Sequence, residues 1–164
     1  MAAFVDAGNR ILWEKFRQSC FMASYTIDID ETFLLPCHQV FALFADHEQF
    51  GRLLGAPARR IRDSDQADPN GIGSVRKIGI GPLGVEETIT GFEPEALIEY
   101  AITSISPLKN HYGRIRFQSP SENETRVHYT VYFEDAIPMT GALVRSALHQ
   151  ALRRGMRRVP KMVK

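Results

Sequence analysis

Residues 138–163 read PMTGALVRSALHQALRRGMRRVPKMV, and this stretch decides the fold that the sequence predicts. Its apolar side chains recur at steps of three and four residues, which is the period of an amphipathic α-helix. Pro138 stands where a helix tolerates proline at its start, and Pro160 where a helix ends or kinks. We therefore predict a long C-terminal helix over residues 139–159. Its apolar face comprises Val144, Leu148, Ala151, Leu152, Gly155 and Val159, and its basic face Gln150, Arg153, Arg154, Arg157 and Lys161.

The chain before this helix is rich in strand patterns. Residues 25–33 alternate apolar and polar side chains, as a half-buried strand does. Two short helices are predicted next, one opened by Pro36 and one over residues 47–54 that Gly55 ends. No helix pattern interrupts the later strands, so we predict an α+β fold in which an antiparallel sheet wraps around the C-terminal helix. The later strands are predicted over residues 59–63, 73–80, 85–92, 97–103, 110–118 and 125–134.

The composition is typical of a soluble chain with one globular domain. The sequence has 164 residues, of which 44% are hydrophobic and 24% charged, and its net charge is +1. We therefore expect no nucleic acid as partner. No apolar run approaches the roughly 20 residues of a membrane span, so we expect no integral membrane segment. Cys20 and Cys37 have neither metal-binding nor redox spacing, which predicts free thiols, a cytoplasmic location, and no metal or other cofactor.

Residues 1–21 stand apart from the patterns of the remaining chain. Ile11, Leu12 and Phe16 are spaced as on one face of a short helix. We predict either a peripheral helix or an N-terminal extension ahead of a single domain over residues 22–164. Such a helix would dock on the domain or on a second subunit, and the second case predicts a homodimer. Met22 offers an alternative start of the protein.

Residues 79–84 read GIGPLG and match the dinucleotide-binding pattern G-x-G-x-x-G. That pattern holds a pyrophosphate where a helix follows the glycines, because the N–H groups at the helix start bind the phosphates. A strand pattern follows here, so we interpret residues 81–84 as a hairpin turn.

Alternation along the predicted strands assigns side chains to the inner face of the sheet. Five of them are polar or charged: Arg76, Glu87, Tyr100, His111 and Tyr129. A buried charge is costly unless it is paired. Arg76 and Glu87 lie on neighbouring strands across one turn, so we predict that they can pair. The apolar inward set comprises Ile78, Ile80, Val85, Ile89, Ile98, Ile102, Ile115, Phe117, Val127, Val131 and Phe133.

Two glycines on inward faces bear on whether the interior is hollow. Gly155 lies in the middle of the apolar helix face, where glycine costs up to about 1 kcal/mol relative to alanine. Either the sheet approaches closely there, or space is left for something else. Gly113 makes a similar gap on the sheet. Together the two glycines predict an internal cavity.

The order of elements and several short strings resemble the polyketide cyclase/dehydrase and START-like superfamily, also called the Bet v 1-like or SRPBCC fold. The resemblance covers about residues 24–162. Two features depart from the usual pattern: the N-terminal extension, and Arg126 and His128 in place of a string that often contains tryptophan. The matching strings are Pro36 to Phe44, Gly73-Ser74-Val75-Arg76, Glu87-Thr88-Ile89 running into Phe92-Glu93-Pro94, Leu97-Ile98-Glu99-Tyr100, His111-Tyr112-Gly113-Arg114-Ile115 and Thr125-Arg126-Val127.

This resemblance implies a helix-grip fold, in which a seven-stranded antiparallel sheet wraps around the long C-terminal helix with a cavity between them. Members bind lipids, sterols, polyketides, hormones or quinones, and some catalyse cyclisation or dehydration. By matched position, the resemblance implies that Arg76, Glu87, Tyr100 and His111 line the cavity.

The first functional hypothesis is a binding protein for a small hydrophobic molecule with one polar end, such as a lipid, polyketide or quinone. A ligand pocket of this kind is mostly apolar with a few polar groups. The predicted ligand-binding residues are Arg76, Ile78, Glu87, Ile89, Tyr100, His111, Ile115, Tyr129, Val131, Leu148, Leu152 and Gly155.

Two alternatives stay open. In a cyclase- or dehydratase-like enzyme, His111 or Glu87 would act as general base, Arg76 would stabilise an enolate, and a tyrosine would donate a proton. In an interaction module, the basic helix face and the N-terminal segment would dock a partner protein. No nucleophile with an adjacent base is visible, so we expect no covalent catalysis. Between the first two hypotheses we favour binding, and an enzyme would be cyclase- or dehydratase-like.

Overall fold

A seven-stranded antiparallel sheet forms the body of the computed structural model, which describes residues 23–81, 84–135, 137 and 140–163. The strands are β1 Ser24–Phe33, β2 Ala58–Arg62, β3 Val75–Ile78, β4 Val85–Glu93, β5 Leu97–Ile102, β6 Leu108–Ser121 and β7 Glu124–Asp135. They lie in the order β1-β7-β6-β5-β4-β3-β2. The predicted seven-stranded antiparallel sheet is confirmed.

Two short helices follow β1, as the sequence predicted. The first, α1, covers Cys37–Ala45 and the second, α2, covers His47–Leu54. The Asp46 carboxylate accepts a hydrogen bond of 2.8 Å from the backbone N–H of Gln49 and so caps the start of α2. Gly55 ends α2 in the left-handed region, with φ of 76°. Because β1 and β2 lie at opposite edges of the sheet, the two helices carry the chain from one edge to the other.

The C-terminal helix is shorter than predicted. The helix α3 covers Gly141–Met156, and after two turn residues a separate short helix, α4, covers Val159–Met162. Proline lacks the N–H that would bond to the carbonyl four residues earlier, and its ring clashes with that carbonyl. Pro160 therefore prevents α3 from continuing past Met156. The predicted start at residues 138 and 139 lies outside the described residues.

The hydrophobic core lies between the inner face of the sheet and the helices. Leu152, Met156 and Val159 are almost completely buried against it, whereas Val144 and Leu148 are only partly buried. The C-terminal half of the helical segment thus carries most of its packing. The predicted basic face is exposed at Gln150, Arg153, Arg154, Arg157 and Lys161.

The predicted inward face of the sheet is confirmed with one exception. Ile80 is 76% exposed, because β3 ends at Ile78 and the backbone turns at Gly79, where φ is 97°. Alternation no longer assigns a face once the strand has ended. The predicted hairpin turn begins in a left-handed conformation at Gly81, with φ of 59°, and its two central residues lie outside the described ranges.

Two further predictions concern other parts of the chain. Among the helices that the structure describes, none is long and apolar enough to cross a membrane. The predicted peripheral helix over residues 1–21 lies outside the described residues.

Candidate ligand site

An ion pair lies inside the protein at the predicted position. Arg76 on β3 and Glu87 on β4 are direct partners in the strand register. The Nε of Arg76 donates a hydrogen bond of 2.8 Å to Oε2 of Glu87, and Nη2 lies 2.8 Å from the same oxygen. Arg76 has no exposed surface and Glu87 is 6% exposed. The predicted pairing is therefore confirmed, deep in the interior.

Aromatic rings enclose the guanidinium of Arg76. Its Cζ lies 3.7 Å from the centroid of the Phe50 ring, contributed by α2, and 4.5 Å from that of the Tyr100 ring on β5. The negative faces of aromatic rings attract a cation, and more strongly where water is excluded. These rings and Glu87 together stabilise the buried charge. Nη1 of Arg76 nevertheless has no hydrogen-bond partner among the described residues.

The hydroxyls of Tyr100 and Tyr129 hydrogen-bond to each other beside this ion pair. Burial raises the pKa of both tyrosines well above the usual value, so both hydroxyls stay protonated. Two hydroxyls carry two hydrogens, and only one is used between them. The pair therefore has one hydrogen to donate elsewhere.

His111 on β6 contributes the last of the predicted polar groups. It is 7% exposed, and its ring centroid lies 5.8 Å from that of Tyr100. Burial lowers the pKa of the imidazole; the Glu87 carboxylate opposes this and the Arg76 charge adds to it. Nδ1 of His111 has no hydrogen-bond partner among the described residues. The structure thus brings all five predicted polar side chains to one inner region.

Two members of this polar cluster were missed by the sequence reasoning. Nε2 of His47, the first residue of α2, lies 3.0 Å from Oγ of Ser74, and both side chains are almost fully buried. Burial, helped by Arg76, lowers the pKa of His47 to about 4. The helical spacing of His47 with Phe50 was the available signal, since it places His47 on the buried face of α2.

The two glycines do not mark a cavity, and that prediction is wrong. A Cβ on Gly113 would collide with Cζ of Tyr100, so this ring fills the space. A Cβ on Gly155 would lie 2.9 Å from the Leu53 carbonyl oxygen, so the end of α2 approaches α3 closely there. Both glycines permit close packing, at Gly155 against a helix rather than against the sheet.

The remaining predicted site residues divide into two groups. Ile89, Ile115, Tyr129, Val131 and Leu152 are at most 2% exposed, so they adjoin almost no free space. Ile78 and Leu148 are only partly buried. Whether these residues bind a ligand stays a prediction.

The two partly buried residues, Ile78 and Leu148, lie towards the same end of the sheet as Glu87 and His111. Glu87 pairs with Ile102, and Ala101 with Tyr112, so Glu87, Ile102 and His111 lie side by side on three strands. The sheet ends there at the turns β3–β4 and β5–β6. Since β7 also ends there, α3 begins at this end, and its partly buried Val144 and Leu148 belong to its first half. Packing against α3 is therefore looser beneath its first half than beneath its second half.

A family model described as polyketide cyclase / dehydrase and lipid transport matches residues 24–163. The match covers all seven strands and the helices α1 to α4. The chain belongs to this polyketide cyclase/dehydrase family. The predicted membership of the SRPBCC superfamily is thereby confirmed, and the fold is consistent with hydrophobic ligand binding.

Solved structures of low identity share the fold of this family member. A START superfamily protein from Mycobacterium smegmatis is 11% identical with a TM-score of 0.65, covering 87% of this chain and 97% of its own. A protein from Thermus thermophilus is 16% identical with a TM-score of 0.65, and the match covers 85% of this chain and 97% of that protein. Ara h 8.0201 is 14% identical with a TM-score of 0.60, and the match covers 85% of this chain and 99% of that protein. No curated protein matches the sequence.

Proposed function

We propose that this protein binds a small hydrophobic molecule with one polar end, beneath the first half of α3. The observation that carries the proposal is the combination of two features at this end of the sheet. Buried nitrogen atoms of His111 and Arg76 have no hydrogen-bond partner among the described residues, and the apolar side chains of Val144 and Leu148 on α3 are only partly buried. A buried polar group without a partner costs free energy, which a ligand atom could recover. Ligand pockets have this composition of apolar walls and few polar groups.

The predicted residues take different parts in this proposal. Ile78, Ile102 and Leu148 would contact the apolar body of the ligand, and His111 and Glu87 would face its polar end. The fully packed Ile89, Ile115, Val131 and Leu152, with Gly155, would form the floor. Cys37, a buried free thiol, agrees with a cytoplasmic location.

A blocking substitution tests this site. We expect Leu148→Trp to fill the space beneath α3 and to lower the affinity for a bound lipid or naphthalene-based probe about tenfold or more, measured by fluorescence titration and native mass spectrometry. Ala147→Trp is the matched control, because Ala147 is the neighbouring exposed residue. If no member of a lipid, quinone and aromatic ketone panel binds, or if both variants weaken binding equally, the proposal is wrong.

An enzymatic role would build on the same binding site. His111 or Glu87 would serve as general base in a cyclisation or dehydration, and Tyr100 or Tyr129 as proton donor. Oε2 of Glu87 is engaged by Arg76, so His111 is the better candidate. Conversion of a bound polyketone by the wild type, and its loss in His111→Phe with binding retained, would establish catalysis.

A second candidate function is protein interaction. Among the described residues, the side chains of Arg153, Arg157 and Lys161 form no ion pair, and all three are exposed on one side of α3 and α4. We infer that this face suits an acidic partner protein. Arg153→Glu with Arg157→Glu would abolish co-purification of such a partner, and unchanged co-purification would contradict the role.

Residues 1–21 carry a related proposal. Their predicted amphipathic helix would join two copies of the chain into a homodimer. Sedimentation of the full chain and of a chain lacking residues 1–21 would decide this: a dimer that becomes a monomer supports it, and a full-length monomer contradicts it.

A further inference from the structure

Large aliphatic side chains that water reaches are concentrated at one end of the sheet. Among the described residues, five such side chains are more than half exposed. Leu34, which follows β1, lies at one end of the sheet. The other four lie at the opposite end, where β3, β5 and β7 finish and α3 begins: Ile80, Ile105, Ile137 and Leu143. A concentration of exposed apolar side chains marks an interaction surface, whereas scattered single ones do not.

Neighbouring connections of the sheet carry these four side chains, which we call the aliphatic rim. Ile80 lies in the turn between β3 and β4, Ile105 in the loop between β5 and β6, and Ile137 between β7 and α3. Leu143 belongs to the first turn of α3. The connections follow one another in the strand order β7-β6-β5-β4-β3, so neighbouring ones are about two strand spacings, or roughly 10 Å, apart. The rim thus presents separate apolar tips along one end of the molecule.

The fully exposed charges around the aliphatic rim are basic. Arg59 near the start of β2, Lys109 near the start of β6 and Arg145 on α3 are exposed. Lys109 lies beside Glu134 in the strand register, whereas Arg59 lies opposite Lys77, and neither arginine forms an ion pair among the described residues. The acidic side chains of this end are half-buried or buried: Glu86, Glu87, Glu134 and Asp135. This distribution complements a negatively charged surface.

We propose that this end of the protein docks on an anionic lipid membrane, with the aliphatic rim inserted among the lipids and the basic side chains at the headgroups. Aliphatic side chains are favoured in the apolar layer, and lysine and arginine are attracted to anionic lipids. A protein partner would favour one contiguous patch with aromatic side chains. The described residues of the three connections include no aromatic one, and the rim consists of separate tips. Docking of this kind requires no ligand in the interior.

Co-sedimentation of the full chain with lipid vesicles tests the proposal. One set of vesicles consists of phosphatidylcholine, and the other contains phosphatidylserine in addition. We expect the anionic vesicles to bind the protein about tenfold more tightly than the neutral ones, because each basic side chain near the surface contributes to the attraction. Added salt should weaken binding to the anionic vesicles, since it screens these charges.

Substitutions at the two ends of the sheet give a matched comparison. Ile105→Asp should weaken binding to the anionic vesicles about tenfold or more, because a carboxylate replaces an aliphatic side chain that enters the lipid. Leu34→Asp makes the same change at the opposite end, and its effect should stay within about twofold because a distant charge is screened. Ile105→Trp should bind at least as tightly as the wild type, since tryptophan favours the membrane interface. Circular dichroism checks that each variant is folded.

Several outcomes would overturn the inference. Absence of binding to both kinds of vesicle, or equally tight binding to both, would contradict docking on an anionic membrane. Binding that Ile105→Asp leaves unchanged, or that both aspartate variants weaken equally, would place the contact elsewhere on the molecule. A dimer that Ile105→Asp dissociates, without any vesicle binding, would identify a second copy of the chain as the partner of this end. None of these results alters the ligand binding tested with Leu148→Trp, so the proposed function stands or falls separately.

Discussion

At the scale of single residues, the interior depends on polar side chains that have left water. Arg76 keeps its charge because Glu87 and two aromatic faces replace its hydration. Burial lowers the pKa of His47 and of His111 and so favours their neutral forms. Acidification should therefore destabilise the fold in part by protonating these histidines.

The first prediction concerns His47 and pH. Its pKa is about 4 in the folded protein and about 6.5 when exposed in the unfolded chain. The unfolded chain therefore binds the proton more tightly, and stability is lost as pH falls from about 6.5 to about 4, by at most about 3 kcal/mol. Above that window the contribution is complete, and below it no more is lost.

Denaturant unfolding of His47→Gln across this pH window measures the effect, because glutamine can keep the contact with Ser74. We expect the variant to lose less stability than the wild type on acidification. His38→Gln serves as control, since His38 is exposed on α1. Identical pH profiles for the wild type and His47→Gln would refute the assignment.

The second prediction concerns Gly113. A methyl group there would collide with the Tyr100 ring, so Gly113→Ala should cost about 1–3 kcal/mol. Tyr100→Leu removes the colliding ring, and the two changes together should cost less than the sum of the single changes. Chemical denaturation of the three variants measures this, and strict additivity would show that the ring does not occupy the space.

At the scale of elements, the junction between α3 and α4 supports another helix. Nη1 of Arg158 donates hydrogen bonds to the carbonyl oxygens of Arg52 (3.2 Å) and Leu53 (3.3 Å). These carbonyls lie in the last turn of α2, where a positive charge is favoured. The backbone N–H of Gly55 also donates to the carbonyl of Arg52, at 3.2 Å. The break that Pro160 imposes thus places a cation at the C-terminus of α2.

The third prediction is that Arg158→Met destabilises the protein by about 1 kcal/mol, because the α2 carbonyls lose a charged donor. Arg157→Met is the matched control, since Arg157 is the exposed neighbour, and we expect its change to stay within about 0.5 kcal/mol. Thermal unfolding of both variants makes the comparison. Equal effects would show that Arg158 contributes nothing as a cap.

At the scale of the whole molecule, packing is uneven between the two ends of the sheet. Beneath the second half of α3, the core is closed by Leu152, Met156 and the aromatic rings of α1 and α2. Beneath the first half, Val144 and Leu148 are only partly buried. Few buried apolar contacts mean a lower free energy of local opening.

The fourth prediction follows from this unevenness. Backbone amides in the first half of α3 should exchange hydrogen faster than those in the second half, measured by hydrogen–deuterium exchange with mass spectrometry. A bound lipid or naphthalene-based probe should slow exchange in the first half only. Uniform protection along α3 without ligand would contradict the packing difference.

Much of the architecture was predictable because it depends on local periodicity. The alternation in residues 25–33 and the start and stop signals around residues 47–54 act within a few positions of the chain. The alternation of side chains along each strand identified one group of polar residues on the inner face of the sheet: Arg76, Glu87, Tyr100, His111 and Tyr129. The predicted inward orientation of Ile80 was wrong, because alternation cannot show where a strand ends.

The sequence by itself determined the order of elements, the inward set of the sheet apart from Ile80, and the pairing of Arg76 with Glu87. Only the tertiary structure decided what fills the interior. His47 contacts Ser74, which is 27 positions away in the sequence. The Tyr100 ring occupies the space next to Gly113, and Leu53 occupies the space next to Gly155. Such contacts depend on how separate elements approach in space, and side-chain spacing along one element does not contain that distance.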